Sequence, residues 1–560
     1  MRRRRLQEAL AICAVAFCLC SPSAQERTIP KFYEDDPIAR VPETQDASKV
    51  QARDISLALD ALINLFGRPG QQRVGRAESV NTVDEVPDSS WFTSRPGLTP
   101  EEVERGVNDD RGPAPGQWSV SRKADGVSAG FTITDSRGRL YFVKFDPPGH
   151  PELGTGAEAV VTRLFHALGY FVPQANIAAI RREDLVVAKG ATVRELGGGR
   201  RPMRPSDIDD VLARAERHPD GSYRAIVAEG LPGTPLGGFK YAGTRPDDPN
   251  DIIPHENRRE LRGLRVFSAW VNHTDAKALN SLDTLMTGAG QARVRHHLID
   301  FNATLGSAGI GLRERRDGYE YLAEVQPTLR AIPAFGFSIR PWMTIEYPDL
   351  RGIGRFEAER FVPEEWRPRV PNPAYIRARP DDLFWAARRL MLLSEAVIRA
   401  AVRAGRYSDP TSEQFLVEAL LLRRGKIARA YLVPLNPVVD PVLSDDGRLS
   451  FGNAAVEHAG AAAPAGYRAV WHRFDNESGA VDLIGTTEGP ASSLPASGGL
   501  PTAPGRYIRV DISTASGAHA SWAIPVHAYF RRLSEGWKLV GFDRMPDAPA
   551  MKPGLVVAEP

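Results

Sequence analysis

The segment His273-Thr274-Asp275-Ala276-Lys277-Ala278-Leu279-Asn280 places a carboxylate and an amide five residues apart, in a loop that follows a predicted helix. Phosphoryl transfer needs a carboxylate that orients or deprotonates the attacking group, and oxygen ligands that hold a divalent metal. Asp275 and Asn280 can supply these two functions, and Lys277 can neutralise charge on the moving phosphate. Asp and Asn also cap helices and form turns, so this segment alone is compatible with a purely structural role.

A second carboxylate follows an apolar run, His297-Leu298-Ile299-Asp300-Phe301, and precedes the polar loop Asn302-Ala303-Thr304-Leu305-Gly306. A carboxylate that leaves a strand beside such a loop is placed to hold a metal that bridges two phosphate groups. The sequence therefore predicts Asn280 and Asp300 as metal ligands.

Lys144 lies among aromatic and apolar residues on a predicted strand, and Glu158 follows fourteen residues later on a predicted helix. A lysine in such surroundings is costly to bury unless a carboxylate pairs with it. Glu158 is the expected partner of Lys144.

Period-two alternation predicts three strands before that helix, at 118–123, 131–134 and 140–145. The helix is predicted from about Thr155 to Leu168, with Gly169 as its C-cap. Further strands near 175–180, 185–188 and 223–229 complete a mostly antiparallel sheet with one helix.

The rest of the chain is more helical up to residue 434. We expect helices at about 257–271, 382–404 and 412–431, and two short strands around the loop at 298–301. Beyond residue 434, short alternating runs at 507–512, 523–530 and 537–542 predict a separate β-sandwich. An N-terminal stretch, with one helical pattern at about 50–66, is expected to pack on the core.

The segment from about Trp118 to Gly306 resembles the protein-kinase-like superfamily, and within it the atypical bacterial HipA-like and CotH-like branches. The resemblance implies an α+β, two-lobed fold that binds ATP and Mg²⁺ or Mn²⁺ and transfers phosphate to an unidentified acceptor hydroxyl. It implies that Lys144 contacts the α- and β-phosphates, that Glu158 holds Lys144, and that Asp275 is the catalytic base. Asn280 and Asp300 would bind metal, the loop Gly126–Gly130 would cover the phosphates, and Glu229-Gly230 would meet adenine.

The predicted division of the chain follows from this resemblance and from the change in composition. It comprises a signal peptide at 1–24, an N-terminal extension at 25–112, an N-lobe at 113–230, a helical C-lobe at 231–434 and a β-rich accessory domain at 435–560.

The segment departs from the family pattern at three places. Gly126-Val127-Ser128-Ala129-Gly130 lacks the usual G-x-G-x-x-G spacing, and no conventional activation segment follows Asp300. Asn302 stands where glycine is usual, and asparagine tolerates positive φ better than most residues.

Two other functions compete with an active transferase. One is a catalytically inactive kinase-like module that binds or organises partners through its β-sandwich. The other is a serine hydrolase, since Gly126–Gly130 matches G-x-S-x-G; a strand is predicted where that motif requires a helix. The adjacent His296 and His297 are expected to face opposite sides of a strand and to serve packing. Arg313, Arg315 and Arg316 are expected to form a solvated face.

The first 24 residues have the layout of a secretory signal peptide, with Arg2 to Arg5 before an apolar run too short to span a bilayer. We therefore expect an exported protein, periplasmic or extracellular, with no later transmembrane segment. Lipid anchoring at Cys20 is disfavoured because Leu19 precedes it. Removing these residues changes the formal net charge from +2 to −1 and removes all 3 cysteines, so neither disulfides nor nucleic-acid binding are expected.

Overall fold

The computed structural model describes residues 29–67, 74–109, 112–123, 128–195, 199–288, 290–322, 340–516 and 519–546. The predicted signal peptide at 1–24 and the glycine at position 126 lie outside these ranges. Within them, no helix has both the length and the apolar character needed to cross a membrane.

A seven-stranded sheet positions Lys144. Its order is β4-β7-β3-β2-β1-β5-β6, and neighbouring strands are antiparallel except for the β1/β5 pair. The strand predictions for this region are confirmed, and β5 is longer than expected. Its strands are β1 Trp118–Lys123, β2 Gly130–Thr134, β3 Leu140–Phe145, β4 Ala175–Ile180, β5 Leu185–Arg194, β6 Arg200–Pro202 and β7 Tyr223–Glu229.

The helices of the described residues vary greatly in length. They are α1 Leu57–Leu62, α2 Pro100–Arg105, α3 Leu153–Leu168, α4 Pro205–Leu212, α5 Arg259–Trp270, α6 Pro373–Ile376, α7 Pro380–Met391, α8 Glu395–Arg403, α9 Pro410–Leu432 and α10 Ala454–Ala459. A π-helix, Ile63–Gly67, continues α1, and 3₁₀ turns include Ala278–Asn280.

The helix predicted to carry Glu158 is confirmed as α3, which ends at Gly169 with φ 114°. Nearly all of α3 is buried, because it lies between the large sheet and helices α8 and α2. The expectation of a single helix in this region is wrong, since a second helix, α4, packs on β5 and shares a core with the large sheet.

A smaller sheet precedes the loop of Asp300. It has the order β10-β9-β8, with β8 Thr234–Gly237, β9 Ser281–Thr287 and β10 Ala292–Leu298. The two strands predicted around the loop at 298–301 therefore both lie before it, as a hairpin. The predicted helix at 382–404 is two helices, α7 and α8, because Ser394 caps a new helix by accepting a hydrogen bond from Val397 N.

Two antiparallel sheets follow residue 434, and their inward-facing residues share one core. The prediction of short strands in this region is confirmed. One sheet has the order β11-β12-β15 and the other β14-β13-β16-β17-β18. The strands are β11 Val438–Leu443, β12 Arg448–Asn453, β13 Gly466–Phe474, β14 Val481–Gly489, β15 Ser493–Pro495, β16 Tyr507–Ser516, β17 Val526–Arg532 and β18 Trp537–Asp543.

The N-terminal extension contacts both the β-rich region and the core. Phe32 packs against Phe474 and Tyr529 of the five-stranded sheet. Farther along, Trp91 stacks on His296 with ring centroids 3.5 Å apart. Trp91 and Phe92 are both buried and anchor their loop. The helix predicted at 50–66 begins only at Leu57, so the prediction is wrong for residues 50–56.

Candidate functional site

Lys144, Glu158 and Asp300 meet at one point between β3, α3 and the loop after β10. The Lys144 ammonium group lies 3.0 Å from Glu158 Oε2 and 2.8 Å from Asp300 Oδ1. Glu158 is 2% exposed, whereas the Asp300 side chain is 39% exposed. The predicted Lys144–Glu158 pair is confirmed as a contact, and Asp300 joins it across 156 residues of sequence.

The charges of this triad depend on one another. Burial opposes the charge of Lys144, but Asp300 and Glu158 outweigh it and raise the pKa of Lys144 well above its usual range. Burial likewise opposes ionisation of Asp300, yet Lys144 holds the pKa of Asp300 below its usual value. Burial raises the pKa of Glu158, because Lys144 offsets only part of the desolvation. Lys144 is therefore a fixed cation whose second partner, Asp300, faces solvent.

Asp146 fixes the distance between the strand lysine and the helix glutamate. Its buried carboxylate accepts hydrogen bonds from the backbone N–H groups of Glu152, Gly154 and Thr155, at 2.8 to 2.9 Å. Gly154 and Thr155 belong to the first turn of α3 and Glu152 immediately precedes it, so none of these N–H groups has a partner within the helix. Because Asp146 lies two residues after Lys144, it ties the end of β3 to the start of the helix that carries Glu158. Sequence reasoning missed Asp146, since this cap is separated from its helix by a loop.

The segment around Asp275 forms a compact loop with its own ion pair. Lys277 Nζ lies 2.8 Å from Asp275 Oδ1, and Asn280 Nδ2 donates to the carbonyl O and the Oδ2 of Asp275, at 2.8 and 3.1 Å. Ile299 N donates to the Asn280 carbonyl at 3.1 Å, which fastens this loop to the segment that ends in Asp300. The structure thus brings Asp275, Lys277 and Asn280 together and joins them to Asp300 through the backbone.

The turn at Asp300 uses a strained backbone conformation. Asp300 has φ 65°, whereas Asn302, the position where positive φ seemed tolerable from sequence, is not in the left-handed region. The strain therefore sits on the predicted metal ligand itself. Asn302 instead donates to Ser128 Oγ at 3.2 Å and so links this loop to the loop before β2.

His273 packs beside the loops that carry Asp275 and Asp300. Its ring packs on Phe301, with centroids 5.7 Å apart, and burial lowers the pKa of His273 to about 4. Among the described atoms, His273 Nδ1 is buried without a hydrogen-bond partner. A neutral ring at this place adds no charge to the site at neutral pH.

The remaining predicted nucleotide contacts lie on the same sheet. Gly130 is directly opposite Lys144 in the β2/β3 register, so the backbone after Ser128 passes beside the lysine. Glu229 pairs with Tyr141 in the β3/β7 register, about 10 Å along the strand from Lys144. Its carboxylate forms an ion pair with Arg139, and Gly230 N donates to the Leu140 carbonyl. The glycine at 126 lies outside the described residues.

Asn280 and Asp300 fit a divalent metal in their chemistry. Asn280 commits its Nδ2 to Asp275, which leaves Oδ1 as a ligand, and Asp300 has one oxygen that does not contact Lys144. Mg²⁺ prefers such oxygen ligands and takes its others from phosphates and water. The described residues contain no group of three or more His, Cys, Asp or Glu that could hold a metal.

His296 contacts Asp283 at 2.7 Å and His297 contacts Thr284 at 3.1 Å, so the two rings have separate partners and serve packing. A strand, β2, follows Ser128, so the helix that a hydrolase elbow requires is missing there. The solvated basic face is wrong for Arg313, which is buried and donates to the carbonyls of Ser307 and Ala303.

Comparison with known proteins found no matching family model and no matching curated protein. Among solved structures, the chain is similar to the Helicobacter pylori proinflammatory kinase CtkA, with 10% identity over 53% of this chain and 90% of that chain and a TM-score of 0.27. It is also similar to the Golgi casein kinase, with 11% identity over 71% and 95% of the two chains and a TM-score of 0.26. A second Golgi casein kinase structure, with Mn/ADP bound, gives 8% identity over 70% and 94% and a TM-score of 0.24. TM-scores below 0.5 do not establish a shared fold.

Proposed function

We propose that this chain is a phosphotransferase of kinase-like fold that uses ATP and a divalent metal, Mg²⁺ or Mn²⁺, to phosphorylate a hydroxyl group. The observation that carries the proposal is the position of Lys144 Nζ, 3.0 Å from Glu158 and 2.8 Å from Asp300. A strand lysine, a helix glutamate and a loop aspartate from three separate segments converge there, beside the Asp275 loop. Catalysis of phosphoryl transfer depends mainly on positioning the reactants and on neutralising phosphate charge, and these groups can do both.

Each residue has one task in the transfer. The lysine, held by Glu158, neutralises the α- and β-phosphates of ATP. The Asp275 carboxylate accepts the proton of the acceptor hydroxyl, whose oxygen bonds to the γ-phosphorus while the bond between that phosphorus and the bridging oxygen of ADP breaks. Lys277, 2.8 Å from Asp275, neutralises charge that develops on the transferred group. Asn280 and Asp300 would hold the metal, which would neutralise the phosphate oxygens.

We also propose that the protein is exported, with residues 1–24 as its signal peptide, and that residues 435–560 form an accessory β-sandwich domain. The support for export is the layout of the first 24 residues. The support for a separate accessory domain is the core that the two C-terminal sheets share.

An inactive binding module is the second candidate. It is favoured by one observation, that the proposed base and the proposed metal-binding carboxylate both contact lysines: Asp275 contacts Lys277 and Asp300 contacts Lys144. A module that only holds its loops together would keep these two pairs and would need no nucleotide.

Calorimetric titration of the full chain with ATP separates the two candidates. With Mg²⁺ or Mn²⁺ present, we expect binding by the wild type and by Asp275→Asn, and loss of the metal-dependent part in Asp300→Asn. Asp275→Asn should lower turnover by about 10²–10⁴-fold, the usual contribution of a general base. Asp209→Asn, an exposed carboxylate on α4, serves as the control. Absence of ATP binding by the folded wild type under both metals would favour the binding module.

A further inference from the structure

The helix next to the Asp275 loop has its apolar side turned to solvent. We call the continuous helical segment 57–67, made of α1 and the following π-helix, the outer helix. Four of its large apolar side chains, Leu59, Leu62, Ile63 and Phe66, are between 43% and 74% exposed, whereas Leu65 is half-buried. They stand at positions i, i+3, i+4 and i+7, which places them on one face of a helix.

The polar side of the outer helix faces the protein. Asn64 is buried and donates to Asp60 Oδ2 at 3.3 Å, and Asp60 is half-buried near the charge of Lys240. A helix that packs on its own protein usually presents the apolar face inward. Here the inward side is mixed, because Ala61 and Leu65 are half-buried beside Asn64, and the four larger side chains form an exposed stripe about 10 Å long from Leu59 to Phe66.

The exposed stripe borders the predicted site of phosphoryl transfer. Helix α1 packs against the 3₁₀ turn Ala278–Asn280, with Cα atoms within 8 Å of one another. That turn carries Leu279, which is 50% exposed and lies between Lys277 and Asn280 in the sequence. The turn that carries the exposed Leu279 therefore lies next to the outer helix, within the loop that holds Asp275.

The exposed apolar area of this stripe can be compared with the area that a protein partner or a lipid surface would cover. Large apolar side chains expose on the order of 100 Å² each at these fractions, so the stripe offers roughly 400 Å², about half of what one partner contributes to a stable protein interface. The same area is enough for an amphipathic helix to sink into the boundary between lipid headgroups and acyl chains. Exposed apolar patches of this extent usually mark such contacts.

We propose that the outer helix docks on lipid and that the acceptor is an amphiphile, with a hydroxyl in its polar head and a hydrocarbon chain. This inference rests on the proposed function. With the chain lying along Leu279 and the outer helix, the head hydroxyl reaches Asp275. Its oxygen bonds to the γ-phosphorus of ATP, its proton passes to Asp275, and ADP leaves with the bridging oxygen.

Vesicle flotation of the full chain tests the docking surface. The probe is a vesicle of phosphatidylethanolamine and phosphatidylglycerol, and the variants are Leu62→Asp and Phe66→Asp. Both positions are exposed, so folding should be preserved. Leu483→Asp is the matched control, because Leu483 is 70% exposed on β14, outside the stripe. We expect the bound fraction to fall about tenfold in each outer-helix variant and to stay unchanged in the control.

ATP titration of the same variants separates the lipid-docking inference from the proposed phosphotransferase function. ATP binding without vesicle binding by the wild type, or vesicle binding that Phe66→Asp leaves intact, overturns the lipid inference and spares the transferase. Vesicle binding without ATP binding overturns the transferase and, with it, the assignment of an acceptor. A wild-type dimer that Phe66→Asp dissociates in analytical ultracentrifugation identifies a second copy as the occupant and overturns the inference.

A short-chain lipid with head hydroxyls, dihexanoylphosphatidylglycerol at a monomeric concentration, identifies the source of the amphiphile. Binding of the monomer as well as vesicles supports a freely diffusing amphiphile. Binding of vesicles alone supports an acceptor that the protein meets in a bilayer. Transfer of phosphate from ATP to an apolar peptide, with no binding of either lipid, counts against the inference.

Discussion

Replacement of Lys144 by methionine should destabilise the site strongly and in a pH-dependent manner. At 3.0 Å, with an effective dielectric constant of about 20, the attraction between Lys144 and Glu158 is about 5.5 kcal/mol before desolvation. Loss of one partner from a buried pair costs about 3–5 kcal/mol, because the other charge stays buried alone. Glu158, at 2% exposure, is that charge.

The pH dependence follows from the carboxyl group that remains. Burial already raises the pKa of Glu158 in the wild type, and loss of Lys144 must raise it further. A carboxyl whose pKa is higher in the folded than in the unfolded protein binds its proton more tightly when folded, so stability rises as the pH falls between the two values. Lys144→Met should therefore lie closer to the wild type at pH 5 than at pH 8.

Calorimetry gives the magnitude, and hydrogen exchange of α3 gives the location. A loss of 3–5 kcal/mol in a region of 150–250 residues corresponds to a thermal midpoint lower by roughly 6–20 °C. Lys144→Met combined with Glu158→Leu is the control, since an apolar pair of similar volume should recover most of the loss. The reasoning fails if the loss is equal at pH 5 and pH 8, or if the double variant is no more stable than Lys144→Met alone.

Three further perturbations address other parts of the structure. Burial lowers the pKa of His273 to about 4 and of His297 to about 3, so unfolding takes up protons below pH 6.5. The free energy of unfolding should therefore fall with decreasing pH, by about 2.7 kcal/mol per pH unit for the two groups. His273→Phe should make this pH dependence shallower in calorimetry. Gly156→Ala would place Cβ 2.7 Å from the Tyr407 ring and should cost about 1–3 kcal/mol in thermal unfolding; simple addition of the losses on combining it with Tyr407→Leu would contradict the clash. Asp146→Ala removes the acceptor of three N–H groups, so exchange in the first turn of α3 should speed up by one to two orders of magnitude, while that of α5 stays unchanged.

Sequence reasoning succeeded where the signal was local. The alternation that predicts β1 to β3 and the apolar periodicity of α3 are properties of single segments, and a lysine among aromatics demands a nearby carboxylate. The pairing of Lys144 with Glu158 could therefore be predicted.

The remaining contacts depend on which segments the fold brings together. Asp300 reaches Lys144 across 156 residues, and nothing in either segment's pattern encodes that meeting. Arg313 was misjudged for the same reason, because its carbonyl partners become apparent only once the loop after Asp300 is folded. The outward apolar face of the outer helix also escaped prediction, since periodicity gives the face of a helix but not the direction in which it points.

The N-terminal extension has a consequence for how the protein is made. Lys31 pairs with Asp543 across 512 residues, and Phe32 packs on strands β13 and β17. The first described residues therefore cannot dock until strands near the end of the described part have been synthesised, and such distant contacts form late. A chain cut short at residue 434 would lose the C-terminal sheets and would also release its own beginning. Deletion of the β-rich region consequently changes the protein at both ends.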